Sequence, residues 1–106
     1  MMDLQQHLDR QREWSLATFG EGLRTRQITA HIRKECDEIE SAVSPWHILA
    51  EGCDVIALAY DLLWRCGFTA EEISAELDRK LTVNINRQWP PIGKDDGQPI
   101  EHVREQ

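Results

Sequence analysis

Two pairs of carboxylates at helical spacing mark the middle of this chain. Glu35 and Glu38 stand three residues apart in Lys34-Glu35-Cys36-Asp37-Glu38, and Glu51 and Asp54 stand three apart in Glu51-Gly52-Cys53-Asp54. That spacing puts each pair on one face of a helix. Between them lies Ser44-Pro45, a cap followed by proline at the first helical position. If this break is a tight turn, the two helices form an antiparallel hairpin. Glu38 and Glu51 are then equally far from the turn, as are Glu35 and Asp54. A rise of about 1.5 Å per residue brings these partners to matching heights. Four convergent carboxylates repel one another unless cations hold them together. Hard oxygen ligands of this kind suit Mg²⁺ or Mn²⁺.

A bland alternative is that all four are solvated surface charges. The first pair alone fits that reading, since Asp37, Glu38 and Glu40 can all be wet. The second pair does not, because Glu51 and Asp54 sit among Ile48, Leu49, Val55 and Ile56. Enclosed carboxylates without partners are costly, and they either neutralise or bind a cation. A di-iron bundle would need Glu-x-x-His motifs. The histidines, His7, His31, His47 and His102, form none.

Further along, Lys80, Asn84 and Arg87 follow steps of four and three and share one helix face. Lysine and arginine together suit a polyphosphate, with arginine able to bind two oxygens at once. Trp14 and Trp89 can stack on a base, whereas Trp46 and Trp64 read as packing residues.

The elements that must position these groups are helices. Asp3 can cap a first helix to about Ala17, on which Leu4, His7, Leu8, Gln11 and Trp14-Ser15 trace a loose helical period. Two glycines in Gly20-Glu21-Gly22 mark a loop. Thr25 can cap a second helix to about Val43, striped by Ile28, Ile32, Cys36, Ile39 and Val43. The third helix runs from Pro45 to about Cys66, with Gly67 as its stop. It is apolar on most sides, so burial is expected, and one small domain has trouble surrounding it alone. Thr69-Ala70-Glu71-Glu72 is a capping box. A fourth helix follows with Ile73, Leu77, Leu81 and Ile85 in register, ending before Pro90-Pro91. Residues 1–91 read as one all-α domain and 92–106 as a polar C-terminal tail that is mobile or packs on a neighbour.

With 106 residues and a formal net charge of −7, the chain is one modest domain without the basic face that a nucleic-acid polymer requires. Bound metal would still let an acidic protein take a nucleotide. No basic leader or membrane-length apolar run is apparent, so the chain reads as a soluble cytoplasmic protein with no membrane partner. Cys36, Cys53 and Cys66 lack CxxC spacing. They read as small buried residues in a reducing compartment.

Taken in order, Glu35-x-x-Glu38, Glu51-x-x-Asp54 and Lys80-x-x-x-Asn84-x-x-Arg87 resemble the motif set of the MazG-like all-α nucleoside triphosphate pyrophosphohydrolases. The resemblance covers about Leu4 to Pro90 and includes Arg12-Glu13-Trp14 and Arg65-Cys66-Gly67-Phe68. His31-Ile32-Arg33-Lys34-Glu35, the Gly67–Ile73 segment and Asn84-x-x-Arg87-x-Trp89-Pro90 are most similar to the dATP/dGTP diphosphohydrolase branch of bacteria and phages. Many family members have glutamate where Lys34 stands, while that branch is similar to this chain there.

The resemblance implies a four-helix MazG-like bundle and Mg²⁺-dependent hydrolysis of a purine deoxynucleoside triphosphate to the monophosphate and pyrophosphate. Mn²⁺ is an acceptable substitute. Glu35, Glu38, Glu51 and Asp54 would be both the metal ligands and the catalytic set, with Glu35 or Glu38 as general base. Lys80, Asn84, Arg87, Trp14 and Trp89 would bind substrate. Relatives form dimers or tetramers, which agrees with the over-apolar third helix. Two other readings stand beside this one. In the first, the same reaction acts on dCTP, dUTP or a modified nucleotide. In the second, the chain is a catalytically silent helical module that binds nucleotide or a protein.

Overall fold

The computed structural model describes residues 1–104. Among them are four α-helices and no strand: α1 (Leu4–Phe19), α2 (Thr25–Glu40), α3 (Pro45–Arg65) and α4 (Ala70–Asn86). The chain divides into two compact units, Met1–Ile73 and Ser74–Gln106.

Local chemistry sets most of the helix ends. The Asp3 side chain accepts from the Gln6 N–H at 3.0 Å, starting α1. Ser44 is extended, its side chain accepts from the His47 N–H at 3.2 Å, and Pro45 opens α3. Thr69 and Glu72 exchange the two bonds of a capping box at 3.2 and 3.1 Å. Gly67 takes a φ of 95°, a left-handed conformation that glycine reaches at no steric cost.

Three ends differ from the expectations. The cap of α2 is Arg24, in the left-handed region at φ 51° and with no side-chain cap bond, so Thr25 is the first helical residue. This helix stops at Glu40 because Ser41 turns back on it. The Ser41 hydroxyl donates to the Asp37 carbonyl at 3.0 Å, and its N–H does the same at 3.1 Å. Val43 is consequently outside the helix and exposed. At α1 the helix extends two residues past Ala17, to Phe19.

In the first unit, α3 packs against α1 and α2. A small core forms from Leu8, Ala70 and Ile73, with Leu4, Tyr60 and Leu63 against it. Ile28 is the most enclosed apolar side chain, at 1% exposure. The apolar stripe of α2 is rotated from its expected line. Ile28 and Glu35 are buried, Ile32 and Ile39 are half-buried, and Cys36 is exposed. The expectation of a fully buried α3 also fails within one chain. Its buried residues are Asp61 and Trp64, while Ile48, Leu49 and Ile56 remain about half exposed. α1, α2 and the first turn of α4 pack on α3, and a 21-residue helix has more circumference than they cover. Trp46, read as a packing residue, is 80% exposed for the same reason. All three cysteines are exposed, against the expectation that they pack inside.

In the second unit, Leu77, Leu81 and Ile85 of α4 are exposed. The C-terminal segment doubles back along the chain that follows α4. The Val103 N–H donates to the Gln88 carbonyl at 2.7 Å, and His102 meets the Trp89 ring edge-on at 6.0 Å between centroids. This contact ties the tail to its own chain. Residues 105 and 106 lie outside the described part. No described helix is long and apolar enough to cross a membrane.

Candidate active site

The carboxylates of α2 and α3 meet where the two helices pack. Glu35, Glu38 and Glu51 each bring one oxygen to within 4.8 Å of the other two. Glu35 is buried, and Glu38 and Glu51 are half-buried. One oxygen of each of two glutamates is held by a histidine one helical turn earlier. His31 Nε2 lies 3.0 Å from Glu35 Oε1, and His47 Nε2 lies 3.6 Å from Glu51 Oε1. The second oxygens, Glu35 Oε2 and Glu51 Oε2, are buried with no hydrogen-bond partner.

Crowding splits the acidities of this group. The Glu35 and Glu38 carboxylates beside Glu51 push its pKa up to about 8, with burial adding to the effect. Glu35 moves the other way. The coupling to Glu51 favours its charged form and outweighs the opposing effect of burial. Glu35 and Glu51 therefore titrate as a pair, because three anions at this spacing cannot all stay ionised without a cation.

Asp54 lies outside the three-glutamate group. It is exposed, and its charge raises the Glu35 pKa. Three residues along a helix fall about 60° short of a full turn, so Asp54 stands beside Glu51's line rather than on it. Instead it lines a cleft of about 220 Å³ together with Glu35 and His31. The far wall of this cleft includes Trp14 and Phe19, whose rings meet edge-to-face at 5.4 Å, and Arg24, whose guanidinium lies 4.3 Å over Phe19. Trp14 is 58% exposed and therefore has a free surface to offer a flat ligand.

That wall stands on a buried network. Asp61 is 4% exposed and Ser15 fully enclosed. Arg65 Nε donates to Asp61 Oδ1 at 2.7 Å, and Arg65 Nη2 donates to Ser15 Oγ at 2.9 Å. The Ser15 hydroxyl in turn donates to Asp61 Oδ2 at 2.8 Å. Arg65 Nη1 donates to the carbonyls of Gly20 and Gly22 at 2.8 and 2.9 Å. A single guanidinium thereby ties α3 to the end of α1 and to the loop after it.

From sequence, Ser15 is placed only on the period of α1 and Arg65 only within the family resemblance, and Asp61 is given no role. Asp61 and Arg65 are an acid and a base four residues apart, a signal that was available. So was the repeated His-x-x-x-Glu spacing of His31–Glu35 and His47–Glu51.

In the second unit, described by itself, Lys80 and Arg87 are exposed and Asn84 is half-buried. Arg87 Nη1 donates to Asn84 Oδ1 at 3.2 Å, and Trp89 Nε1 donates to the Asn84 carbonyl at 2.7 Å. Asn84 therefore organises Arg87 and Trp89 at the end of α4.

The first unit defines an all-helical protein that gathers acidic oxygen donors beside an aromatic-walled cleft. Residues 7–106 match the family model of dATP/dGTP pyrophosphohydrolase, and the chain belongs to that family. It is accordingly an enzyme of the nucleoside triphosphate pyrophosphohydrolase class. The match runs through the C-terminal segment as well as the four helices. No curated protein and no solved structure matches the chain significantly.

Proposed function

We propose that this protein hydrolyses the purine deoxynucleoside triphosphates dATP and dGTP to the monophosphate and pyrophosphate in the cytoplasm. Glu35, Glu38, Glu51 and Asp54 would hold the Mg²⁺ that the reaction uses. One observation carries the metal assignment. Two buried carboxylate oxygens, Glu35 Oε2 and Glu51 Oε2, have no hydrogen-bond partner, in glutamates that with Glu38 each bring one oxygen within 4.8 Å of the others. Such atoms are costly to bury unless something ligates them. Every donor is a hard oxygen, which fits Mg²⁺ or Mn²⁺ and not a thiolate or imidazole metal.

When bound there, Mg²⁺ neutralises the phosphate chain and makes a neighbouring water more acidic. The protein's own residues supply the rest. Glu35 stays ionised and is placed to take the proton of the attacking water. That water adds to the α-phosphorus, and the bond from the α-phosphorus to the bridging oxygen breaks to release pyrophosphate. Trp14, in the cleft wall beside the carboxylates, stacks on the base. On their chemistry, Lys80 and Arg87 meet the negative charge of the phosphates, and Trp89 and Asn84 complete substrate binding.

The domain reading is that residues 1–91 carry catalysis and 92–106 form an appended tail. We further assign α2 and α3 to an antiparallel hairpin and the active species to a homodimer or homotetramer. About half of each of Ile48, Leu49 and Ile56 on α3 remains in water in the single chain. Pairing this face between copies removes apolar area at about 25 cal/mol per Å², and a closed symmetric dimer is the simplest arrangement.

A panel of ribo- and deoxynucleoside triphosphates, assayed with Mg²⁺ and with Mn²⁺, tests the reaction. The expected products are dNMP and pyrophosphate, with dATP and dGTP turned over fastest. Release of free phosphate would contradict the mechanism, and no turnover of any nucleotide would support the silent binding module. Glu38→Gln and Asp54→Asn are each expected to abolish turnover while the helical circular dichroism is retained.

A further inference from the structure

His31 and His47 stand in the same relation to two glutamates, on different helices. Each precedes its glutamate by four residues and approaches Oε1 through Nε2. In both cases the oxygen left over, Oε2, is the buried and unpartnered one. A carboxylate held through one oxygen cannot rotate freely about its last side-chain bond. Its other oxygen is then fixed in direction before any ligand arrives. The two contacts differ in quality. His31 to Glu35 at 3.0 Å is a hydrogen bond, whereas His47 to Glu51 at 3.6 Å is within ion-pair range but too long for one. Their surroundings differ as well, since His31 also lines the cleft beside Asp54.

We infer that His31 is a positioning residue that donates from Nε2 to Glu35 Oε1 and aims Glu35 Oε2 into the three-glutamate group, with His47 as a weaker counterpart toward Glu51. This rests on the metal-binding reading of that group. Histidine acts here from behind a ligand and not as a ligand itself. Outer contacts of this type typically change metal affinity by about 10–100-fold when removed. The graded distances assign the larger share to His31. Both side chains are substantially in water, 50% for His31 and 40% for His47, so substitution leaves the packed interior in place.

The test is Mn²⁺ binding to the full-length protein without nucleotide, read from the loss of the free-ion electron paramagnetic resonance signal. His31→Leu removes the donor and keeps bulk. His31→Gln places an amide N–H where Nε2 stood. The expected result is a loss of about 10–100-fold in Mn²⁺ affinity for His31→Leu, recovery to within a few-fold in His31→Gln, and a smaller loss in His47→Leu. Wild-type affinity in His31→Leu would overturn the inference while leaving the metal site standing. An equal loss in His31→Gln and His31→Leu would also overturn it, because a donor at that position would then not matter. Absence of Mn²⁺ binding by the wild-type protein would remove the metal reading itself and this inference with it. Unfolding of His31→Leu, seen by circular dichroism, would shift the decision to His31→Gln, in which affinity far below wild type overturns the inference.

Discussion

Arg65→Leu is the substitution with the largest expected cost to the fold. The Arg65 side chain is 1% exposed and makes four charge-assisted donations, two of them to backbone carbonyls of the Gly20–Gly22 loop. Its guanidinium also lies 4.7 Å from the Trp64 ring centroid. Leucine keeps some of the packing and removes every donor. Asp61 is then a buried anion that retains one close donor, the Ser15 hydroxyl, with Arg24 Nη1 at 4.0 Å as its nearest charge. Breaking a buried pair in this way typically costs about 3–5 kcal/mol. Four hydrogen bonds to a charged group would sum to roughly 6–12 kcal/mol if they were independent. They share one side chain and the loop can rehydrate, so the lower range governs. A chain of this size holds only about 5–15 kcal/mol in total. At roughly 4–8 °C per kcal/mol, the midpoint should fall by about 12–40 °C. Thermal and urea unfolding at one fixed protein concentration read this directly. Arg65→Lys should rescue little, because an ammonium cannot reach Asp61, Ser15 and two carbonyls as a planar fork does. The double variant Asp61→Leu/Arg65→Leu should be less unstable than the sum of the two single changes, since neither charge is then stranded. A midpoint for Arg65→Leu within about 4 °C of wild type, less than 1 kcal/mol on that scale, would show that the network does not hold this wall.

In metal-free protein, the pKa of Glu51 is about 8 against an ordinary value of 4.5, so its contribution to stability is complete below pH 4.5 and is lost as pH rises through 8. Glu35 has the opposite sign: its contribution is present above pH 4.5 and is lost as pH falls through its lowered pKa. Chelator-treated protein should therefore lose thermal stability between pH 5 and 9, Glu51→Gln should flatten that slope, and an unchanged slope in the variant would remove Glu51 as its source. Arg87→Ala should cost roughly 2–4 kcal/mol in kcat/KM for a phosphate contact through two guanidinium nitrogens, with Mg²⁺ affinity in the absence of nucleotide unchanged. Loss of metal affinity with normal turnover at high metal would refute that role. Light scattering at micromolar concentration should give a mass of at least two chains, and a monomer that still turns over dNTP would exclude the α3 interface.

Features that depend on a few neighbouring residues were legible in the sequence. Asp3, Ser44-Pro45, Gly67 and the Thr69–Glu72 box mark helix ends because caps and turns are made within four residues. Carboxylate spacing on α2 and α3 was legible too, since one helical period decides which side chains share a face. Contacts across large separations were decided by tertiary packing. Ser15 meets Asp61 and Arg65 over 46 and 50 residues, and no local pattern records such a meeting. The rotation of α2 is of the same kind. An apolar count favoured Cys36 inside, yet the helix turns Glu35 inward, where Glu51 and His31 stabilise its charge. Only the packed pair of helices could separate Asp54 from the three glutamates, because the angle between α2 and α3 decides which of two adjacent helical lines faces the partner. The raised pKa of Glu51 follows from that same geometry. The charges that raise it, those of Glu35 and Glu38, come from another helix.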